Sequence, residues 1–436
     1  MGINVATIFF WLYFRIRYKR NLSLNSIRLW CRSRKHFAGR LAMSNNFIYY
    51  SPTKVYFGKG VENKLPNYIK EFGGTSVLLV YGGKSAIRLG LIDLARKLLS
   101  EANIPCVELG GIVPNPRLKE VYKGIQLGKD NHVDFILAIG GGSVIDTAKA
   151  IGYGLAEPGK DVWELFDGKR KATGCMPVGC VLTISAAGSE LSNSCVIRSD
   201  EENRKGSYAD NLSRPKFVAS NPEFTMTLPD YQTMAGCVDI MMHTMERYFT
   251  PKGNMELTDE FAEALLRRTM ADAIILHQNP NDYEARAEVM WASSLSHNGL
   301  TGCGNGGDDF ATHGLEKEIG GIYDTTHGAG LAAIWPSWAR YVMKDCLHRF
   351  KKYALNVMNV PNVGSDEEIA LAGIKAMEEF YRSINMPTNL RELGVNLTDE
   401  QVHELAVLCA LHNGGKRGAA KVLYQDDMEA IYAMAR

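Results

Sequence analysis

Asp239 and His243 lie four positions apart in AGCVDIMMHTMERYF, and His313 and His327 follow in ATHGLEKEIGGIYDTTHGAGLA. Positions i and i+4 share one helical face, so the Asp239 carboxylate and the His243 imidazole can address a single point. His313 and His327 are too far apart for one face, and a helix–turn–helix is needed to return the second to the first. One carboxylate with three imidazoles makes a mixed oxygen and nitrogen shell, suited to Fe, Zn, Co or Ni and not to Mg or Ca. Spacing alone also admits a second arrangement, in which these are separate core or surface histidines.

A second pattern stands upstream in FILAIGGGSVIDTAKAIG. The apolar run Phe135 to Ile139 reads as a buried strand, and a helix pattern starts near Val144. Gly140, Gly141, Gly142 and Ser143 lie between them. Glycines let backbone come close to a phosphate, and a helix N-terminus offers unpaired N–H groups and a favourable dipole. This is not the G-x-G-x-x-G fingerprint. Asp146 and Lys149 following GGGS at a strand-to-helix junction make it more specific than a glycine turn.

The elements that must position these residues fall into two groups. From Phe47 to about Met226 short apolar strands such as SVLLVYGG alternate with amphipathic helices such as LIDLARKLLSEA. That alternation predicts a doubly wound, mostly parallel sheet, with ligand at the carboxyl ends of its strands. From about Thr227 strands disappear, and long helical stretches follow, such as MELTDEFAEALLRRTMADAIILHQ and DEEIALAGIKAMEEFYRSI. Thr398 with Gln401 fits a capping box. The expected division is a basic extension over 1–43, an α/β dinucleotide-binding domain over 44–226 and an all-α metal-binding domain over 227–436.

Taken together these patterns resemble the iron-containing, or group III, alcohol dehydrogenases, and within them the NADPH-dependent butanol dehydrogenase branch. The likeness runs from about Ser44 to the C-terminus through YSPTKVYFGKG, VPNP, GGGSVIDTAKA, AGSE, TLPD and the two histidine spacings. The resemblance implies a catalytic metal on Asp239, His243, His313 and His327, with Fe(2+) as default and zinc or nickel possible in isolated protein. It implies a pyrophosphate at Gly140 to Ser143 and cofactor contacts from Asn115, Asp146, Thr183 and Lys205. It also implies a homo-oligomer, a dimer, acting on small aldehydes or primary alcohols. A polyol dehydrogenase of the same fold and an inactive binding homologue are the alternatives.

The cofactor's identity turns on the end of the first long strand. NAD-preferring enzymes commonly place an acid there for the ribose 2′-hydroxyl. SVLLVYGGKSAIR instead offers Gly82, Gly83, Lys84 and Ser85, with Arg88 one turn on and no carboxylate, so NADPH is expected over NADH. No catalytic residue beyond the metal set is assigned. Lys317 stands where many relatives carry a second histidine, and is either a proton relay or a bystander. The expected cleft residues Cys303, Gly304, Phe310, Ile322 and Gly328 include no arginine, which favours short neutral aldehydes over keto acids.

Composition bounds the rest. A hydrophobic share of 46% with 22% charged residues is ordinary for a soluble enzyme, and 436 residues allow two cores. Nine basic residues and no acidic ones fall in residues 1–43, so the remainder is net acidic and shows no footprint for nucleic acid. Nine scattered cysteines without a C-x-x-C pair fit a reducing compartment. Ile3 to Phe14 is apolar but too short to span a bilayer, and no membrane association is expected of the body. The extension is expected to be dispensable and the protein cytoplasmic, with organelle targeting by residues 1–43 as the alternative.

Overall fold

The computed structural model describes residues 46–436 apart from Asn203 and Asn254. The expectations placed on residues 1–43 lie outside the described residues. Residues Asn46–Arg436 form one compact unit.

Among the described residues eight strands run in chain order: β1 (Lys54–Phe57), β2 (Val77–Gly82), β3 (Cys106–Ile112), β4 (Phe135–Gly140), β5 (Val178–Leu182), β6 (Ser194–Ser199), β7 (Arg204–Ala209) and β8 (Phe217–Ser220). Six of them form one sheet in the order β1-β8-β5-β4-β2-β3, and every pairing is parallel. Because helices cover both faces, the central strands read as continuous apolar runs rather than alternating ones. Val77, Leu79, Phe135, Leu137 and Ile139 pack on one side with Leu65, Ile69 and Ile92. Leu78, Val80, Ile136 and Ala138 pack on the other with Ile145, Ala148 and Ile151. The chain reverses its direction of growth at β4, which stands between β2 and β5, so the carboxyl ends of β2, β4 and β5 open onto the crevice where such sheets bind ligands.

The antiparallel pair β6–β7 forms a separate small sheet that the strand–helix alternation did not foreshadow. Its second strand, RKGSYA, is mostly polar and so shows no apolar run. It is held by close packing at Gly206, where an added Cβ would come within 2.7 Å of Phe166 and 2.9 Å of Trp163.

Five helices build the site: α1 (Gly142–Ala156), α2 (Asp230–Tyr248), α3 (Tyr283–His297), α4 (Ala311–Ile322) and α5 (His327–Val342). After β8 the described residues form helices and connecting loops without a further strand, apart from an isolated bridge between Arg417 and Leu423. α1 begins two residues before the position expected from periodicity, because the extended Gly141 serves as its N-cap. The long helices fall where expected, at Glu256–Gln278 and Asp366–Ser383. Thr398 and Gln401 complete the expected capping box, with reciprocal hydrogen bonds of 3.2 and 2.9 Å. From Thr233 to Tyr248, α2 is buried on every face, as suits a helix at the centre of a bundle.

Candidate metal centre

α2 carries Asp239 and His243 one turn apart, α4 carries His313, and His327 is the first residue of α5. The turn between α4 and α5 returns His327 to His313, with ring centroids 5.2 Å apart. Gly328 is what allows this approach, since an added Cβ would stand 1.9 Å from the Ala235 carbonyl oxygen of α2.

The three imidazoles converge on Asp239. Its Oδ1 lies 3.3 Å from His243 Nδ1, 3.6 Å from His313 Nε2 and 3.8 Å from His327 Nε2. Asp239 Oδ1, His243 Nδ1 and His313 Nε2 are all buried without a hydrogen-bond partner. Unpartnered buried polar atoms are costly. Three of them aimed at one point are the mark of a site built for a cation, and the oxygen and nitrogen donors suit a divalent transition metal. Ligand atoms of Asp239, His243 and His313 fall within 4.8 Å of one another, as one ion requires.

The opposite nitrogens are held by carboxylates. Glu246 accepts from His313 Nδ1, and Glu316 accepts from His327 Nδ1, which fixes each ring with Nε2 toward Asp239. Both glutamates are fully buried. Burial, with His297 and His313 adjacent, holds the His243 imidazole well below its usual range and therefore neutral. Burial also works against a charge on His313, but the Glu246 and Asp239 carboxylates outweigh it and raise that imidazolium to about 10. The pocket therefore attracts positive charge.

Phe310 closes one side. It adopts the left-handed conformation (φ 49°) at the start of α4, with its ring centroid 5.3 Å from that of His313 and 6.2 Å from that of His243. Asp309 anchors the bend by accepting backbone N–H bonds from Ala311, Ala419 and Ala420. The guanidiniums of Arg247 and Arg417 lie 4.9 and 5.9 Å from the Phe310 ring. Neither arginine is one of the expected cleft residues, and Arg417 arrives from more than a hundred residues downstream. Cys303 Sγ lies 3.5 Å from the Gly299 carbonyl oxygen, and an added Cβ at Gly304 would meet Met255 at 2.4 Å. Ile322 is 44% exposed.

The glycine loop sits at the carboxyl end of β4. An added Cβ at Gly141 would come within 2.0 Å of Ile184, and one at Gly142 within 3.2 Å of Ala187. Gly82 ends β2 and Gly83 follows it, and Gly82 lies next to Val144, where an added Cβ would be 3.6 Å away. Lys84 and Ser85 start the following short helix. Thr183 donates its backbone N–H to the Gly140 carbonyl. Gly82 to Ser85, Gly140 to Ser143 and Thr183 thus gather at one crevice. Asp146 has both oxygens engaged, accepting from Ser189 Oγ at 2.6 Å and from the Val196 N–H at 2.9 Å. The buried Lys149 amine donates to the carbonyls of Ser189, Ser192 and Ser194 and so holds the same segment. Asn115, at φ 54°, donates to Asp324 between α4 and α5. Lys205 projects from β7 toward Gly320 of α4. Burial holds the Lys317 amine below its usual range, Glu318 opposing and Lys205 adding to the effect.

Sequence reasoning missed Glu246, Glu316 and His297. Each glutamate follows a ligand histidine by three residues, a spacing common on any helix and so a weak signal. His297 packs edge-on against His243 (ring centroids 4.1 Å apart) and its Nε2 lies 3.2 Å from Ser194 Oγ.

A parallel-sheet nucleotide crevice, joined to a buried cluster of Asp239, His243 and His313 with the partly exposed His327 beside it, defines the class: a metal-dependent nicotinamide dehydrogenase. Comparison with known proteins agrees. Residues 52–222 match the profile described as iron-containing alcohol dehydrogenase, and residues 233–436 match the C-terminal profile of the same family. NADH-dependent butanol dehydrogenase A of Clostridium acetobutylicum is 40% identical over 388 residues, covering 89% of this chain and 98% of that one. The NADPH-dependent aldehyde reductase YqhD of Escherichia coli is 33% identical over 354 residues, covering 81% and 90%. The crystal structure of NADH-dependent butanol dehydrogenase A from Thermotoga maritima superposes with a TM-score of 0.85 at 33% identity, covering 89% and 98%. The chain belongs to the iron-containing alcohol dehydrogenase family, in its butanol dehydrogenase branch.

Proposed function

We propose that this protein is an NADPH-preferring aldehyde reductase that converts short aliphatic aldehydes to primary alcohols, with Fe(2+) on Asp239, His243, His313 and His327. The observation that carries the reading is the set of three unpartnered buried ligand atoms around Asp239, beside a nucleotide crevice. When bound, the ion supplies a Lewis acid that polarises a carbonyl oxygen. Glu246 and Glu316 keep the His313 and His327 rings in one tautomer and orientation. Phe310 shields one side of the reacting centre from water. The crevice at Gly82 to Ser85 and Gly140 to Ser143 orients the cofactor, with Asn115, Asp146, Thr183 and Lys205 as further supports. The net change is addition of a hydride from the nicotinamide and a proton from solvent to the aldehyde.

NADPH is favoured because β2 ends without a carboxylate and with Lys84 beside Ser85. Relatives of both cofactor types are known by name, so the preference rests on these residues. The division at 226/227 follows the end of the sheet at Ser220 and the start of α2 at Asp230. A homodimer is supported by the edge strand β1, whose Phe57 is exposed alongside Phe47, Ile48, Tyr49 and Tyr50. No described helix is long and apolar enough to cross a membrane. A cytoplasmic site of action is part of the proposal.

Purified protein should oxidise NADPH with butanal and do so much more slowly with pyruvate. His313→Ala should lose bound metal and activity together. Full metal content in that variant, or a preference for glycerol oxidation with NAD, would overturn the reading.

A further inference from the structure

The three ligand imidazoles are not held alike. Glu246 and Glu316 fix the rings of His313 and His327, whereas among the described residues nothing hydrogen-bonds either nitrogen of the His243 ring. Ligand histidines are ordinarily oriented by a bond to the second nitrogen, and for His243 packing takes that place. His243 presents Nδ1 to Asp239 while the other two present Nε2, so its ring must be turned differently about the same point. Two imidazoles flank it. The His313 ring lies 4.5 Å away between centroids at 35°, and the His297 ring 4.1 Å away at 75°. The nearer one, His297, ends α3 and stands outside the ligand set. An edge-on ring at that distance leaves the His243 imidazole little room to turn about its Cβ–Cγ bond.

His297 is itself anchored from three directions. Its Nε2 lies 3.2 Å from Ser194 Oγ at the start of β6. Arg247 donates Nη1 to the carbonyls of both His243 and Ser296, at 2.7 and 3.1 Å, and so locks the two backbones in register. An added Cβ at Gly188 would stand 2.8 Å from His297 Cβ, so the 187–190 segment lies directly against it. Ser194 is fixed in turn. Its carbonyl accepts from Lys149 at 2.8 Å, and two residues on the Val196 N–H donates to Asp146. The strand that braces the glycine-loop helix α1 therefore also braces the ring beside His243. His297 Nδ1 is buried without a partner, a cost that an apolar residue at this position would not carry.

We propose that His297 is a positioning residue for the metal centre: its ring, pinned to Ser194, holds the His243 imidazole with Nδ1 toward Asp239, the task that Glu246 and Glu316 perform for the other two rings. The inference rests on the metal-centre reading above and adds to it a residue outside the ligand set. His297 acts through His243. Among the described residues the imidazoles within ion-pair reach of Asp239 are those of His243, His313 and His327. Because the restraint is steric, the flat shape of the ring matters more than its nitrogens. A loosened His243 would leave an ion the same donors in a less defined arrangement.

Titration of the full-length, metal-stripped protein with cobalt(II), followed by visible absorption, tests this without any turnover. His297→Ala should weaken cobalt binding about tenfold and alter the cobalt absorption bands, with the Kd for NADPH close to the wild-type value. His297→Phe keeps a flat ring beside His243 and should recover most of that loss and the wild-type bands. Wild-type affinity and spectrum in His297→Ala overturn the positioning role. An equal loss in His297→Phe overturns it too, because the nitrogens and not the ring's shape would then be what the metal centre needs. Should His297→Ala not fold, Ser194→Ala decides. It leaves every ring in place and only frees His297 to turn, so it should broaden the cobalt bands and weaken binding, and wild-type values there refute the restraint. If the wild type itself takes up no cobalt, the metal-centre reading fails and the positioning role falls with it. Wild-type binding with unaltered variants fails the positioning role alone.

Discussion

Glu246 holds His313 twice. One carboxylate oxygen accepts the His313 backbone N–H at 2.9 Å, and the other accepts from Nδ1 of the same residue. The first bond sets the start of α4 relative to α2, and the second sets the ring within that frame. Position and tautomer of this ligand therefore depend on one buried side chain.

Glu246→Gln should accordingly weaken metal binding by about 10- to 100-fold while leaving the fold in place. Competition against a chromophoric chelator measures this. Wild-type affinity in the variant would show that His313 keeps its orientation unaided.

At the nucleotide crevice the tightest position is Gly141, whose added Cβ would overlap Ile184 at 2.0 Å. Either Ile184 or the loop must move, at a cost of about 1–3 kcal/mol. Gly141→Ala should raise the Kd for NADPH, read by fluorescence titration, without loss of bound metal. An unchanged Kd would place the pyrophosphate elsewhere.

Cofactor choice is open to a single substitution. Gly82 ends β2, where an acid would face the ribose. The wild type should show a higher kcat/KM with NADPH than with NADH, and Gly82→Asp should reverse that order by repelling the 2′-phosphate. Equal use of both cofactors by the wild type would show that Lys84 and Ser85 do not read it.

Asp309 makes stability depend on pH in a particular direction. Burial raises its carboxyl to about 6 from the ordinary 3.8, against the pull of the Ala420, Ala419 and Ala311 N–H groups. The folded protein therefore binds this proton more tightly than the unfolded chain does. The stabilisation is complete below about pH 4 and is lost as pH rises through about 6. Thermal melts should show wild-type stability falling over that window relative to Asp309→Asn, then levelling off. A parallel course for the two proteins would assign Asp309 an ordinary pKa.

The parts of the site legible in the sequence were those governed by local geometry. Asp239 and His243 share a face because a helix repeats every 3.6 residues, and GGGS between an apolar run and a helix pattern can bind phosphate wherever the chain places it. What escaped were contacts made at long range. Arg417 reaches Phe310 from 107 positions downstream, and Glu316 is known as a His327 partner only once α5 folds back on α4. Lys205 is placed near the cofactor only by the family resemblance, and its neighbours on α4 could be known only from the placement of β7. The β6–β7 hairpin escaped for another reason, since a polar strand held by packing at one glycine carries no periodic signal.

The ligand set draws on α2, α4 and α5, so a bound ion would cross-link helices whose covalent connection runs the long way from Asp239 to His327. Mass action then couples heat tolerance to supply. Each tenfold rise in free ion above its Kd adds about 1.4 kcal/mol to the folded state. With the ion held as proposed, the melting temperature of this protein would be a gauge of metal availability as much as a property of its chain.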